Sequence, residues 1–284
     1  MKHIKNTLES DGYVILEGFL TEKEIEELKQ ETNKLIQEMP EQSQRTVFNT
    51  ITAQQNRDKY FLESSDKIRY FYETGALDPE GKLLVDPNIA LNKIGHALHE
   101  LNPVFRKLSF SEKVKEIAFQ LGFEDPAIPQ SMYIFKNPGI GGEVIPHQDA
   151  WYLYTEPKHV VGFWFALEDA TIENGCLWFS KGSHKGGVHR RCIRNPDKSS
   201  DELLIYTAPA PTYQKSHFTA APVPKGTLIL IHGQVVHFSE VNKSEKPRPA
   251  YTFHVIEQKD NKYSEENWLQ LPEGRQFLSL YKTN

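Results

Sequence analysis

Short apolar runs separated by Gly, Pro and Asn fill the chain after Gly122, and this pattern limits the fold more than any other feature. Each run is rich in the β-branched and aromatic residues that favour strands. The runs are Ser131–Lys136, Val160–Leu167, Cys176–Phe179, Gly226–His232 and Pro249–Ile256. Helical patterns come earlier in the chain. Helices first and strands later predict an α+β, mainly β fold, in which N-terminal helices brace a β-sandwich or barrel.

The first forty residues contain signals for one strand and one helix. Asp11-Gly12 predicts a turn that leads into a strand at Tyr13–Leu16. Thr21, followed three residues later by Glu24, predicts a capping box at the start of an amphipathic helix. Pro40 ends that helix, because proline cannot continue the helical hydrogen bonding.

The next eighty residues are less regular. Glu41–Pro87 is polar and irregular and predicts short strands and loops. Apolar spacing over Ile89–Leu101 predicts a helix. Ser109 with Glu112 predicts a second capping box, opening a helix that Gly122 closes.

No repeat or linker composition divides the 284 residues, so we predict a single domain, residues 1–284. Within it we expect a helical and irregular support over 1–125, a β core over about 126–258 and a C-terminal extension over 259–284.

Composition excludes several classes of protein. A net charge of −5 gives no electrostatic reason to expect nucleic acid or an anionic membrane as partner. No apolar run is long enough to span a bilayer, and the start of the chain lacks the apolar segment of a secretory signal. The cysteines, Cys176 and Cys192, are too few for a disulfide framework or a zinc site. We therefore expect a cytoplasmic protein.

The stretch Pro146-His147-Gln148-Asp149 is the first candidate for chemistry. In an extended backbone, side chains two positions apart project to the same face, so His147 and Asp149 could hold one metal ion together. A second histidine would complete the set of two His and one carboxylate that leaves coordination positions open on iron. A turn carboxylate beside a surface histidine is the alternative.

The third ligand has two candidates, His232 and His237, on an apolar strand-like segment. Periodicity does not choose between them, and either could be a hydrogen-bonded core residue instead. Arg248 follows eleven residues after His237, and its planar guanidinium suits a carboxylate such as the far end of 2-oxoglutarate. Ser239, on the same face as His237, could add a hydroxyl. The alternative for Arg248 is a solvated loop cation.

These motifs together resemble the phytanoyl-CoA dioxygenase family of Fe(II)- and 2-oxoglutarate-dependent oxygenases. The resemblance extends over nearly the whole chain. It is carried by the opening DGYVILEGFLTEKEIEEL, the stretch SMYIFKNPGIGGEVIPHQD, the turn ENGCLWFSKGSH, and the run VVGFWFALEDAT. Lys181 stands where the family often has proline, which concerns loop stiffness rather than chemistry.

The resemblance implies a double-stranded β-helix (jelly-roll, cupin-like) core with helices packed on one sheet. It also implies that His147, Asp149 and His237 are the iron ligands and that Arg248 and Ser239 bind the far carboxylate of 2-oxoglutarate. Lys93, Met132 and Trp164 fall where the family lines the co-substrate pocket. Fe(II), 2-oxoglutarate as co-substrate and O₂ are the implied cofactors.

Hydroxylation of a small organic or acyl substrate, with release of succinate and CO₂, is the implied reaction. Asp149 supports it, because halogenating relatives have a small residue there. The alternative is a jelly-roll metal-binding regulatory or sensor protein without turnover, which would not need Arg248 or Ser239. Trp151, Tyr152 and Tyr154 are candidates for the substrate wall or for the core. The basic connection His184–Phe218 is either a lid that attracts an anion, such as a CoA thioester, or a solvated loop.

Overall fold

A computed structural model describes residues 2–41, 45–157 and 159–282. Residues 42–44 of the predicted irregular segment and the last two residues of the predicted C-terminal extension lie outside this range. The described residues form six α-helices: α1 Lys2–Asp11, α2 Glu22–Gln37, α3 Lys59–Leu62, α4 Leu98–Leu101, α5 Pro103–Ser109 and α6 Glu112–Leu121. Short 3₁₀ helices span Gln54–Arg57, Pro87–Ile89, Asp149–Trp151, Ser183–Gly186 and Lys215–His217.

Most of the strands lie in the second half, where the apolar runs predict them. Those of the first part are β1 Tyr13–Leu16, β2 Ile68–Tyr72, β3 Leu91–His96, β4 Pro126–Ala127, β5 Ser131–Ile134 and β6 Val144–His147. The next are β7 Thr155–Glu156, β8 Val160–Ala166, β9 Leu177–Phe179, β10 Cys192–Arg194 and β11 Leu204–Tyr206. The last are β12 Thr219–Ala221, β13 Leu228–His232, β14 His237–Ser239, β15 Ala250–Glu257 and β16 Lys262–Tyr263.

Two antiparallel sheets form the core. The major sheet has the order β1-β13-β8-β15-β5-β3-β2, with β4 paired to β15, and the minor sheet has the order β12-β9-β14-β6. Strands that are distant in sequence are neighbours in both sheets, as in a jelly roll. The predicted double-stranded β-helix core is confirmed.

The two faces of the major sheet have different partners. Phe163, Tyr251 and Phe253 are buried with residues of α2, α5 and α6, and the Tyr251 ring lies 4.8 Å from that of Phe105. Successive strand residues point to opposite faces, so the neighbours of these residues line the space between the sheets. Helices therefore brace the outer face, and the inner face is free to carry a site.

The predicted helix at Ile89–Leu101 is wrong. Residues Leu91–His96 form β3, which pairs with β2 and β5, and only Leu98–Leu101 is helical. The position of β3 inside the sheet buries five of its six residues. Asn92, Lys93 and His96 interrupt the apolar residues of this strand, so apolar and polar residues do not alternate along it and its spacing resembles that of a helix.

The predicted capping box at Ser109 is also wrong. Ser109 ends α5, and its hydroxyl contacts the Phe105 carbonyl and the Tyr251 hydroxyl. Helix α6 starts after Ser111, whose side chain makes no capping bond, and it ends at Gly122 with φ of 90° as expected. The capping box at Thr21 is confirmed.

The first 125 residues are not separate from the β core. Strands β1, β2 and β3 belong to the major sheet. At the other end of the chain, the Trp268 ring stacks on Phe61, with centroids 4.4 Å apart and planes 14° apart. No helix among the described residues is long and apolar enough to cross a membrane.

Candidate metal centre and its cavity

His147, Asp149 and His237 come together between the two sheets. His147 ends β6 and pairs directly with His237 at the start of β14. Asp149 does not continue the strand as predicted, because it opens the 3₁₀ helix Asp149–Trp151. The three side chains still present ligand atoms within 4.8 Å of one another. His232, the other candidate, instead accepts a hydrogen bond from the Gln234 backbone N–H at 3.1 Å.

Hydrogen bonds fix which nitrogen of each histidine faces the carboxylate. His147 Nδ1 lies 2.8 Å from the Ile145 carbonyl, and His237 Nδ1 lies 3.1 Å from the Val235 carbonyl. A carbonyl only accepts, so both Nδ1 atoms carry the proton and both Nε2 atoms present lone pairs. Burial lowers the pKa of His237 to about 4, with a smaller contribution from His147, so its ring is neutral at neutral pH.

The donor set fits a cation. Each of the two Nε2 atoms lies 3.6 Å from Asp149 Oδ1, so three electron-rich atoms face one another. Metal bonds to nitrogen and oxygen are about 2.0–2.2 Å long, so one ion between atoms 3.6 Å apart reaches both. Two histidines and one carboxylate are the ligands of ferrous sites with open positions.

His254 holds the other oxygen of Asp149. Its Nε2 lies 3.1 Å from Asp149 Oδ2, and its Nδ1 lies 3.1 Å from Gln130 Nε2. Gly162 lies beside this contact, and a Cβ there would stand 3.1 Å from Asp149 Oδ2. Burial raises the pKa of Asp149, but His254, His237 and His147 outweigh it and hold the pKa well below its ordinary value. One oxygen is thus directed at the histidines, and the other is tied to His254.

A cavity of about 180 Å³ adjoins the ligands. All five residues expected to bind the co-substrate line it: Lys93, Met132, Trp164, Ser239 and Arg248. They come from β3, β5, β8, β14 and the residue pair before β15, so both sheets contribute.

Arg248 is buried without an acidic partner in the described part of the chain. It is 2% exposed, and its Nε and Nη1 atoms have no hydrogen-bond acceptor. Its guanidinium carbon lies 5.3 Å from the centre of the Trp164 ring. Burial lowers its pKa to about 10, which leaves it charged at neutral pH. A buried, unpaired charge is costly, so this group is arranged for an anion.

Lys93 is a second buried cation in the same cavity. Its Nζ lies 3.3 Å from the centre of the Phe48 ring and 3.7 Å from Met132 Sδ, and no carboxylate pairs with it among the described residues. Burial lowers its pKa well below 10.5. Two cations without acids favour a ligand that carries two negative charges.

The aromatic residues after Asp149 divide between the two predicted roles. Tyr152 lines the cavity. Trp151 is fully buried, and its Nε1 donates to Gln148 Oε1 at 2.7 Å, so it is a core residue. The Tyr154 ring lies 4.3 Å from the Arg191 guanidinium and is not part of the cavity wall.

The connection His184–Phe218 packs onto the body of the protein. It contains β10 and β11, and Cys192, Leu204 and Tyr206 line the cavity. Its arginines contact neighbouring groups. The Arg190 guanidinium lies over the rings of Trp151 and Tyr206. Arg191 forms an ion pair with Glu266, and Arg194 donates a hydrogen bond to the Trp268 carbonyl. These contacts favour a packed connection over an anion-attracting cluster.

The cavity residues that were not identified as site residues from the sequence include His96, Gln130 and His254. His96 lies in the segment that was predicted to be a helix, and Gln130 precedes β5. His254 is two positions from Thr252 on an apolar strand, where a histidine more often belongs to the core. Only its pairing with Gly162, which leaves space for Asp149, distinguishes it.

Comparisons with known proteins agree with this geometry. The sequence profile of the family described as phytanoyl-CoA dioxygenase (PhyH) matches residues 8–250. The chain is 46% identical to "Phytanoyl-CoA dioxygenase domain-containing protein 1 homolog" of Caenorhabditis elegans, over 99% of this chain and 100% of that protein. It is 47% identical to "Phytanoyl-CoA dioxygenase domain-containing protein 1" of Bos taurus, over 96% of each chain.

Solved structures share the fold at low sequence identity. The epimerase SnoN, in complex with Fe³⁺, alpha ketoglutarate and nogalamycin RO, has a TM-score of 0.63 and 17% identity over 96% of this chain and 90% of its own. EctD from S. alaskensis, with 2-oxoglutarate and 5-hydroxyectoine, has a TM-score of 0.59 and 17% identity. That match covers 89% of this chain and 75% of the EctD chain. The family match and the relatives above extend over nearly the whole chain. This chain belongs to the phytanoyl-CoA dioxygenase (PhyH) family.

Proposed function

We propose that the protein is an Fe(II)- and 2-oxoglutarate-dependent dioxygenase that hydroxylates a small organic or acyl substrate and releases succinate and CO₂. His147, Asp149 and His237 hold the iron in this proposal. Ferrous iron bound there would supply oxygen activation coupled to the oxidative decarboxylation of 2-oxoglutarate. Family membership supports the class of reaction, and the residues of the cavity support the co-substrate.

The observation that carries the proposal is the buried guanidinium of Arg248, which has unpartnered N–H donors and lines the same cavity as the three metal-binding side chains. Two parallel N–H donors suit a carboxylate. Lys93 adds a second positive charge, which fits the second carboxylate of 2-oxoglutarate. A metal-binding sensor would not require a buried arginine without an acid.

The cavity also limits the substrate. At about 180 Å³ it is smaller than the roughly 300–1,000 Å³ of pockets that enclose drug-sized ligands. A complete CoA thioester does not fit inside, so only its acyl part could reach the iron. We propose the cytoplasm as the location, because Cys176 and Cys192 are both free thiols, as in reducing compartments.

Turnover of 2-oxoglutarate to succinate tests the proposal. The full-length protein should form succinate only with added Fe(II) and O₂, and Asp149→Ala or His147→Ala should abolish the reaction because a metal ligand is lost. His232→Ala is the matched control and should retain turnover, since His232 lies outside the cavity wall. Undiminished turnover in Asp149→Ala, or none in the wild type with any small substrate, would contradict the proposal.

A further inference from the structure

The cavity wall has a polar pair that the metal centre and the co-substrate do not use. His96 ends β3 and is fully buried, and Gln130, which is 5% exposed, precedes β5. His96 pairs with Ser131, the residue after Gln130, so the two side chains belong to adjacent strands. Both line the cavity.

Hydrogen bonding decides which atom of His96 is left for a ligand. The Ser64 hydroxyl donates to the Phe61 carbonyl at 2.6 Å and lies 2.7 Å from His96 Nδ1. The serine hydroxyl proton already takes part in the bond to Phe61, so His96 Nδ1–H donates to Ser64 Oγ. His96 Nε2 therefore keeps its lone pair, and it has no hydrogen-bond partner in the described structure.

The same reasoning applies to Gln130. A carboxylate only accepts, so His254 Nε2 donates to Asp149 Oδ2, and His254 Nδ1 is an acceptor because it faces the amide nitrogen of Gln130, which only donates. Gln130 Nε2 donates to that nitrogen at 3.1 Å. Gln130 Oε1 is left without a donor among the described residues. Two buried acceptors in one cavity are thus unsatisfied, which is costly unless a ligand or water donates to them.

Aromatic rings surround His96. Its ring centroid lies 5.5 Å from Phe61, 5.4 Å from Phe71 and 5.0 Å from Trp268. Lys93 and Arg69 disfavour a cationic donor here: burial lowers the pKa of His96, and these two cations add to this effect. The surroundings are apolar and already positively charged, so a neutral donor fits them and an ammonium does not.

We propose that His96 Nε2 and Gln130 Oε1 form a substrate subsite that accepts hydrogen bonds from a neutral hydroxyl or amide N–H on an otherwise apolar substrate. The inference rests on the proposed function only in calling this ligand the substrate. The two acceptors and their rings recognise the donor whether or not the metal and 2-oxoglutarate are bound.

Phenol and fluorobenzene are suitable probes, because they are similar in size and only phenol donates a hydrogen bond. Their dissociation constants are measured by ligand-observed NMR on the full chain, first alone and then with Mn(II) and 2-oxoglutarate. We expect phenol to bind about tenfold more tightly than fluorobenzene in both conditions. If the preference for phenol is present but Mn(II) and 2-oxoglutarate do not bind the protein, the subsite is supported and the proposed function is contradicted.

Variants test whether the acceptor of His96 causes the preference for phenol over fluorobenzene. His96→Phe keeps a ring but removes the acceptor, so the phenol preference should fall to about twofold or less. His96→Gln keeps an acceptor and should retain part of the preference. His99→Phe is the matched control: it changes a buried histidine of the same segment that lies outside the cavity wall, and it should leave the preference unchanged.

The outcomes that overturn the inference are equal binding of the two probes by the wild type, binding of neither, or an unchanged preference in folded His96→Phe. Folding of each variant is checked by circular dichroism. If His96→Phe does not fold, Gln130→Met takes its place, because it removes the other acceptor with little change in size. An unchanged preference in that variant would then overturn the inference.

Discussion

Arg248 is the residue whose environment most strongly requires a ligand. Arg248→Ala removes charge-assisted hydrogen bonds worth about 1.5–3 kcal/mol, so the dissociation constant of 2-oxoglutarate should rise roughly 10- to 150-fold. The constant is measured by calorimetry with Mn(II) in place of Fe(II). Arg106→Ala is the control, because Arg106 lies on α5 over the Phe110 ring and not in the cavity. An unchanged constant in Arg248→Ala would remove this residue from the co-substrate site.

Lys93 makes the binding of 2-oxoglutarate depend on pH. Burial lowers its pKa well below 10.5 in the free protein, and a bound dianion would raise that pKa by favouring the ammonium. Between the two pKa values, binding takes up a proton, so affinity falls as pH rises by up to about tenfold per unit. Lys93→Met should abolish this slope. Calorimetry in buffers with different ionisation enthalpies measures the proton uptake.

Exposed Lys107 provides the control for Lys93, because Lys107→Met removes a lysine charge from the surface of the protein. In that variant the affinity for 2-oxoglutarate should depend on pH as it does in the wild type. A slope that persists in Lys93→Met would mean that another group takes up the proton.

His254 lies against Asp149 Oδ2, and we propose that it positions this carboxylate for the metal. His254→Ala frees Asp149 Oδ2, and loss of such a partner typically weakens metal binding about 10- to 100-fold. The affinity for Mn(II) is measured by competition with a chelating dye, without reference to turnover. His254→Gln, which can still donate to the carboxylate, should recover part of the affinity. Full metal affinity in a folded His254→Ala would show that the carboxylate does not need this contact.

At the scale of elements, α2 and α6 begin differently. Thr21 caps α2 in a reciprocal capping box with Glu24, whereas the Ser111 hydroxyl before α6 has no hydrogen-bond partner among the residues that the structure describes. Thr21→Ala should therefore lower the free energy of unfolding by about 1 kcal/mol. Ser111→Ala should leave it unchanged or raise it slightly, because a buried hydroxyl without a partner is removed. Urea denaturation measures both, and equal losses would contradict the assignment.

Five strands, β5, β8, β9, β13 and β15, were predictable from sequence because each apolar run is bounded by turn residues, as in Val160–Leu167 and the observed β8. Strand β3 was not, because its buried positions include the polar residues Lys93 and His96, so apolar and polar residues do not alternate along it. The candidate metal site could be predicted in part, through the spacing of His147 and Asp149. Pairing of β14 with β6, which selects His237 over His232, is a tertiary fact that local spacing does not contain.

The whole molecule should unfold as one unit, as we predict from the absence of a linker. The cavity is lined by residues from the first hundred, such as Lys93, and from the β core, such as Arg248. Ligands that bind only the folded chain stabilise it by about 2.7 kcal/mol at a hundredfold excess over the dissociation constant. Mn(II) with 2-oxoglutarate should raise the midpoint of a single thermal transition. Two transitions, only one of which responds, would contradict the single domain.

The stack of Trp268 on Phe61 joins two segments that are far apart in the sequence at the wall of the cavity. Phe61 is synthesised well before Trp268. The nascent polypeptide therefore cannot enclose this chamber before Trp268 has been added. A chain that ends shortly before Trp268 would still contain the three candidate metal ligands, but its cavity would be open to water. Such a chain would separate binding of the metal ion from exclusion of water around it.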